Sequence, residues 1–184
     1  MTASDIDLLA SAFDKTERIM ARVSPDQAQL PTPCDEFDVA RLVDHLVGWA
    51  KSFEARLTGG TFEGDPNDYR AGADPAADFH DAAAAIVGAY RGGGDAAKQL
   101  PVGVLLMECT VHGWDLATAT GQPTDITPAE ADRALEMGQQ MLKPEYRGPG
   151  QPFGYEAQVP DSAGSVQKLI AFLGRSPDWP TAGA

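Results

Sequence analysis

The sequence predicts an all-α protein built as a helical bundle. Apolar residues recur at helical spacing in five or six separate segments, and no segment alternates polar and apolar as a strand does. Proline- and glycine-rich breaks separate the segments. At 184 residues the chain is long enough for one domain with a real core, and 1–184 reads as a single unit without internal repeat or interdomain linker.

The first helix is expected over about 4–23, where Leu8, Leu9, Ala12, Phe13, Ile19 and Met20 fall on one face. The stretch SPDQAQLPTPCDEF ends it, because three prolines cannot continue a helix. Asp38 is a suitable N-cap for a second helix, striped by Val39, Leu42, Val43, Leu46, Val47, Ala50, Phe53 and Leu57 and closed by Gly59-Gly60. A polar loop leads to Asp74 and Pro75, which open a third helix ended by Gly92–Asp95. The fourth is expected over about 102–120, stopped by Gly121 and Pro123. Thr127-Pro128-Ala129-Glu130 forms a capping box with proline at the first helical position, so a fifth helix runs from there to about Leu142. Residues 144–163 hold four prolines and three glycines and read as a long irregular loop. A C-terminal helix and tail occupy 164–179, the helix ending near Leu173.

Charge narrows the partners. With a net charge of −13 and only 14 Lys plus Arg, the chain lacks the basic face that nucleic acid needs, and an anionic membrane surface would repel it. No run approaches the ~20 apolar residues of a membrane span. The N-terminal MTASDIDLLASAFDK is acidic and amphipathic, unlike a secretory signal. Cys34 and Cys109 make neither a disulfide framework nor a Cys-x-x-Cys motif, so a cytoplasmic location is expected.

The chemistry concentrates in ECTVHGWD. Apolar side chains point in nearly every direction around the fourth helix, among them Leu106, Met107, Val111 and Leu116, which marks a central helix. Glu108, His112 and Asp115 nevertheless share one face at i, i+4 and i+7, with Val104 and Leu105 a turn before and Ala119 a turn after. A carboxylate walled by hydrophobes is costly unless it is paired, protonated or bound to a cation. A solvated stripe and a buried salt bridge are the competing readings. His45 stands beside the apolar stripe of the second helix, between Leu42 and Trp49. Bundles build metal sites from facing helices. Glu108, His112 and His45 would supply three donors and leave coordination open, the pattern of a catalytic rather than a structural zinc site.

Other residues carry less. His80 reads as a surface histidine, with a fourth ligand or proton shuttle as the alternative. Asp115 either orients His112 or caps a polar surface. Cys109 points ~100° from Glu108 and reads as a buried inert thiol. Cys34 sits in a loop where nothing electropositive in sequence would lower its pKa. RGGGDAAK lacks the strand and the Gly-Lys-Ser/Thr ending of a phosphate loop, and no Gly-x-Ser-x-Gly elbow occurs.

At these residues a family resemblance becomes specific. TPCDEFDVARLVDHLVGW resembles the N-terminal signature of the mycothiol-dependent maleylpyruvate isomerase family, part of the wider DinB/YfiT-like set of metalloenzymes. ECTVHGWDLATATGQ is similar to its second motif, and VPDSAGSVQKLIAFLGRSPDW resembles the ending of its short actinobacterial members. The resemblance implies a DinB/YfiT-like four-helix bundle with additional short helices, arranged up-down-down-up. It implies His45, Glu108 and His112 as ligands of one divalent metal, zinc foremost, and mycothiol as the thiol cofactor. The implied partners are a small-molecule thiol and an electrophilic substrate. The isomerase's additional C-terminal domain has no counterpart after Trp179, which turns the expectation from maleylpyruvate itself to other thiol-linked transfer or isomerisation. Arg147 and Tyr155, with Tyr146 and Phe153, are the candidate cofactor contacts of the irregular loop, Arg147 as a carboxylate clamp. A homodimer is a candidate assembly. The competing expectation is a non-enzymatic ligand-binding or protein-interaction module whose metal is structural or absent.

Overall fold

The computed structural model describes residues 3–151 and 153–179. Among these it is all-helical, with two isolated bridges, Pro31–Asp38 and Arg147–Phe153, and no strand. The helices are α1 (Ala3–Met20), α2 (Val39–Thr58), α3 (Pro75–Gly92), α4 (Asp95–Gln99), α5 (Val102–Thr120), α6 (Pro128–Met141) and α7 (Ser165–Phe172). The expected caps are in place. Asp38 accepts the Arg41 amide at 2.8 Å, Asp74 accepts that of Ala77, and Thr127 and Glu130 close a reciprocal box.

One boundary and one short helix differ from expectation. α1 stops at Met20, short of Val23, because Pro25 holds Ser24 in extended backbone (φ −91°, ψ 154°) and the chain unwinds before reaching it. The short helix α4 was absent from the sequence reading. Its five residues are too few to show periodicity, and the preceding glycines read only as a terminator.

α1 packs on α3 and α5, and α2 packs on the same two helices, so the four long helices surround a common core. α6 lies against α5, and α7 against α6. α5 is therefore central, as its all-round hydrophobicity requires. Every residue of α5 is buried except Val104 and Glu108, which are one turn apart.

Close approach of α1 to α5 depends on Gly113. A Cβ there would sit 2.6 Å from Thr16 Oγ1, inside van der Waals contact. Beside it, the Thr16 hydroxyl meets the Cys109 carbonyl at 3.3 Å and the Cys109 thiol at 3.1 Å. A second tie joins α1 to α6. Lys15 Nζ meets both oxygens of Glu130, at 2.7 and 2.6 Å, while Glu130 also accepts the Thr127 amide. Among the described residues, no helix is long and apolar enough to cross a membrane.

Candidate metal centre

The packing of α2 against α5 brings His45 to Glu108 and His112. One donor atom from each lies within 4.8 Å of the other two. The imidazole rings of His45 and His112 meet edge to face with centroids 4.9 Å apart. His112 Nε2 is 3.5 Å from Glu108 Oε2, the contact expected of an i, i+4 pair. His45 Nδ1 is buried and has no hydrogen-bond partner, which is uncommon for a polar atom out of water.

The three side chains line a cleft of about 440 Å³, walled by Phe37, Trp49, Phe53 and Phe153. Phe37 comes from the loop before α2 and stacks at 4.7 Å from the His45 ring. That loop is shaped by Thr32, whose hydroxyl lies 2.9 and 2.8 Å from the carbonyls of Cys34 and Phe37. The cleft explains the two openings in α5, because Val104 and Glu108 both face it. Here the structure corrects the expectation of a walled-in acid. The Glu108 side chain keeps 36% of its surface exposed, so the carboxylate is met from one side by imidazoles and from the other by the cleft.

Electrostatics separate the two histidines. Burial and the neighbouring His112 push the His45 imidazole down to about 4, so it is neutral at pH 7. Burial also works to lower His112, but its contacts with Asp115 and Glu108 outweigh this and hold it above the usual histidine value. Burial would raise Glu108. The adjacent His112 and His45 prevail and keep its carboxyl below the ordinary range.

Behind His112 stands Asp115, fully buried, with Oδ2 3.1 Å from His112 Nδ1. Of the two readings left open for Asp115, the structure selects orientation of His112. Asp115 is itself gripped by Arg175, whose Nη2 and Nε reach its two oxygens at 3.1 and 3.4 Å. Arg175 escaped the sequence reading. It lies 60 residues from its partner, in a tail without periodicity, and no local pattern points to it.

Cys34 occupies the wall beside these groups, its sulfur within 4.8 Å of donor atoms of His112 and Asp115. Nothing electropositive flanks Cys34 in sequence, but in space Arg175 stands near it. Burial still dominates, and the thiol is pushed up to about 11. Cys109 is buried under Thr16 and rises to about 12. His80 is exposed on α3 and pairs with Glu17 of α1 at 2.8 Å.

Cys34, Glu36 and Arg175 also border a second cleft of about 350 Å³, which continues to Gly148, Gly150 and Tyr155 of the irregular loop. Tyr155 stands on its rim, 70% exposed. Arg147 is turned to α7, donating to the Phe172 carbonyl at 2.7 Å and lying over the Phe172 ring.

Fold and site together define an all-α protein with a His–Glu–His donor set able to hold a metal ion at the wall of a cleft. The profile of the mycothiol maleylpyruvate isomerase N-terminal domain matches residues 9–117, and the chain belongs to that family. It is also 34% identical over 177 residues to two uncharacterized proteins of Mycobacterium tuberculosis, from strains CDC 1551 / Oshkosh and ATCC 25618 / H37Rv. Each alignment covers 90% of this chain and 94% of the relative. No solved structure matches the chain.

Proposed function

We propose that His45, Glu108 and His112 hold one divalent metal, zinc foremost, and that the centre serves an enzyme joining a small-molecule thiol, mycothiol, to an electrophile. The observation that carries the reading is the convergence of three donors from two helices, one of them bearing a buried nitrogen without a partner. Two imidazoles and one carboxylate suit zinc, and three protein donors leave a coordination position free. When bound, such an ion is a Lewis acid that lowers the pKa of a thiol or water entering that position.

The chain's own groups have definite tasks around it. His45 supplies a neutral imidazole, the form a ligand requires. Glu108 supplies the negative charge and faces the cleft from which a reactant arrives. Phe37, Trp49 and Phe53 wall that cleft and limit water around the reacting thiol. The neighbouring cleft is the seat for the body of the thiol cofactor, with Tyr155 as a direct contact. Arg147 supports that seat from behind, because it also reaches the Gly154 carbonyl at 3.3 Å. A cytoplasmic setting, where low-molecular-weight thiols stay reduced, is part of the same proposal.

The test is elemental analysis of protein purified without chelator or His-tag. One equivalent of metal is expected, lost in the His45→Ala, His112→Ala double variant. Wild-type protein that neither retains nor takes up zinc on titration would sink the reading.

A further inference from the structure

Asp115 poses an energetic problem. Its carboxylate is 0% exposed, in the interior, where an unpaired charge is severely disfavoured. Two groups meet it. His112 Nδ1 lies at 3.1 Å, and the Arg175 guanidinium closes over both oxygens. Arg175 is itself 7% exposed and spends its remaining nitrogen on the Leu173 carbonyl at 2.9 Å. A guanidinium offers donors only, so both Asp115 oxygens are engaged as acceptors by Arg175. Both ring nitrogens of His112 face carboxylates, and the shorter contact, 3.1 Å from Nδ1 to Asp115 against 3.5 Å from Nε2 to Glu108, marks Nδ1 as the nitrogen that carries the hydrogen of the neutral ring. In the neutral ring Nε2 is then the free nitrogen, and it is the one turned toward Glu108.

The placement of Arg175 is built into the end of α7. Gly174 adopts φ +84°, and the turn is closed by the Arg175 amide to the Ile170 carbonyl and the Gly174 amide to the Ala171 carbonyl, each at 3.0 Å. A side chain at 174 would be strained by that φ, and its Cβ would lie 2.8 Å from Gly154. The tail is thereby fixed in the direction that carries Arg175 back to α5.

We infer that Arg175, supplied from beyond the matched domain at 9–117, is a positioning residue of the His–Glu–His centre: it clamps Asp115 as the fixed acceptor that orients His112 with Nε2 free toward Glu108. The centre is then assembled by the family domain together with its C-terminal tail. The role rests on the metal reading above, whereas the orientation of His112 is a property of the chain alone.

The two are tested apart. Long-range proton–nitrogen correlation spectra of metal-free wild-type protein, taken above the His112 titration, report which ring nitrogen carries hydrogen. The Nδ1–H tautomer is expected, and an Nε2–H tautomer overturns the inference. In a second arm, Zn2+ affinity is measured by competition with a chromophoric chelator for wild type, Arg175→Met and Arg175→Lys. Arg175→Met is expected to weaken binding 10–100-fold. It should also change the visible spectrum of the Co2+-saturated protein, with partial recovery in Arg175→Lys. A residue that merely stabilised the fold would lower the unfolding temperature and leave the saturated Co2+ spectrum as in wild type. That result, or Zn2+ affinity within twofold of wild type, overturns the inference. If Arg175→Met does not fold, the tautomer in wild type decides. If wild type binds no Zn2+, the metal reading falls and the tautomer still judges the clamp.

Discussion

At the residue scale, the centre divides labour between charge and shape. Glu108 is partly open to the cleft, so its charge matters more to a bound cation than to the fold. Glu108→Gln is expected to weaken zinc at least about tenfold while stability stays within ~1 kcal/mol, a surface-like response. Calorimetric titration beside thermal melts would show both. Gly113 is the opposite case. Gly113→Ala forces a Cβ against Thr16 and is expected to cost roughly 1–3 kcal/mol, read from denaturant midpoints. Glu108, His112 and His45 were legible in the sequence because spacing on a helix fixes direction. The openness of Glu108 was not, since the cleft is made by irregular segments that supply Phe37 and Phe153.

At the element scale, two devices tie the bundle together, each only half legible in the sequence. The capping box at the start of α6 could be read from Thr127 and Glu130, but its tie to Lys15 of α1 could not, being 115 residues apart. Burial works to raise the Glu130 carboxyl. Lys15, the Thr127 amide and the hydroxyls of Ser11 and Thr127 outweigh it and set it below its ordinary 4.5. A lowered folded-state pKa means the stabilisation is fully present above about 4.5 and is lost as pH falls through the folded value. Glu130→Gln is therefore expected to be less stable than wild type at pH 7, by roughly 2–3 kcal/mol. Melts in an acid series should show that gap closing below pH 4.5, and a gap independent of pH would contradict the strap. The turn after α7 is the second device. The end of that helix near Leu173 was legible, while the task of Gly174 in returning Arg175 to α5 appears only in three dimensions.

At the scale of the whole molecule, α5 connects everything: it packs on α1, α2 and α6 and carries two of the three donors. A ligand that binds only the folded state stabilises it in proportion to the logarithm of its excess. Zinc at about 100 times its dissociation constant is expected to add ~2.7 kcal/mol. The corresponding rise in melting temperature is roughly 5–10 °C for a chain of this size, and it should vanish in His45→Ala. The bundle itself was legible because each long helix has its own periodic stripe and caps. α4, too short for periodicity, and the route of the 144–163 loop, which depends on where distant segments dock, were not. Zinc-edge X-ray absorption on zinc-loaded wild-type protein probes the centre most directly, because the half-buried thiol of Cys34 stands close enough to compete as a ligand. The expected spectrum has nitrogen and oxygen neighbours only, at about 2.0–2.2 Å, with the outer scattering of two imidazoles. A sulfur neighbour near ~2.3 Å, or scattering from fewer than two imidazoles, would contradict the His45–Glu108–His112 centre.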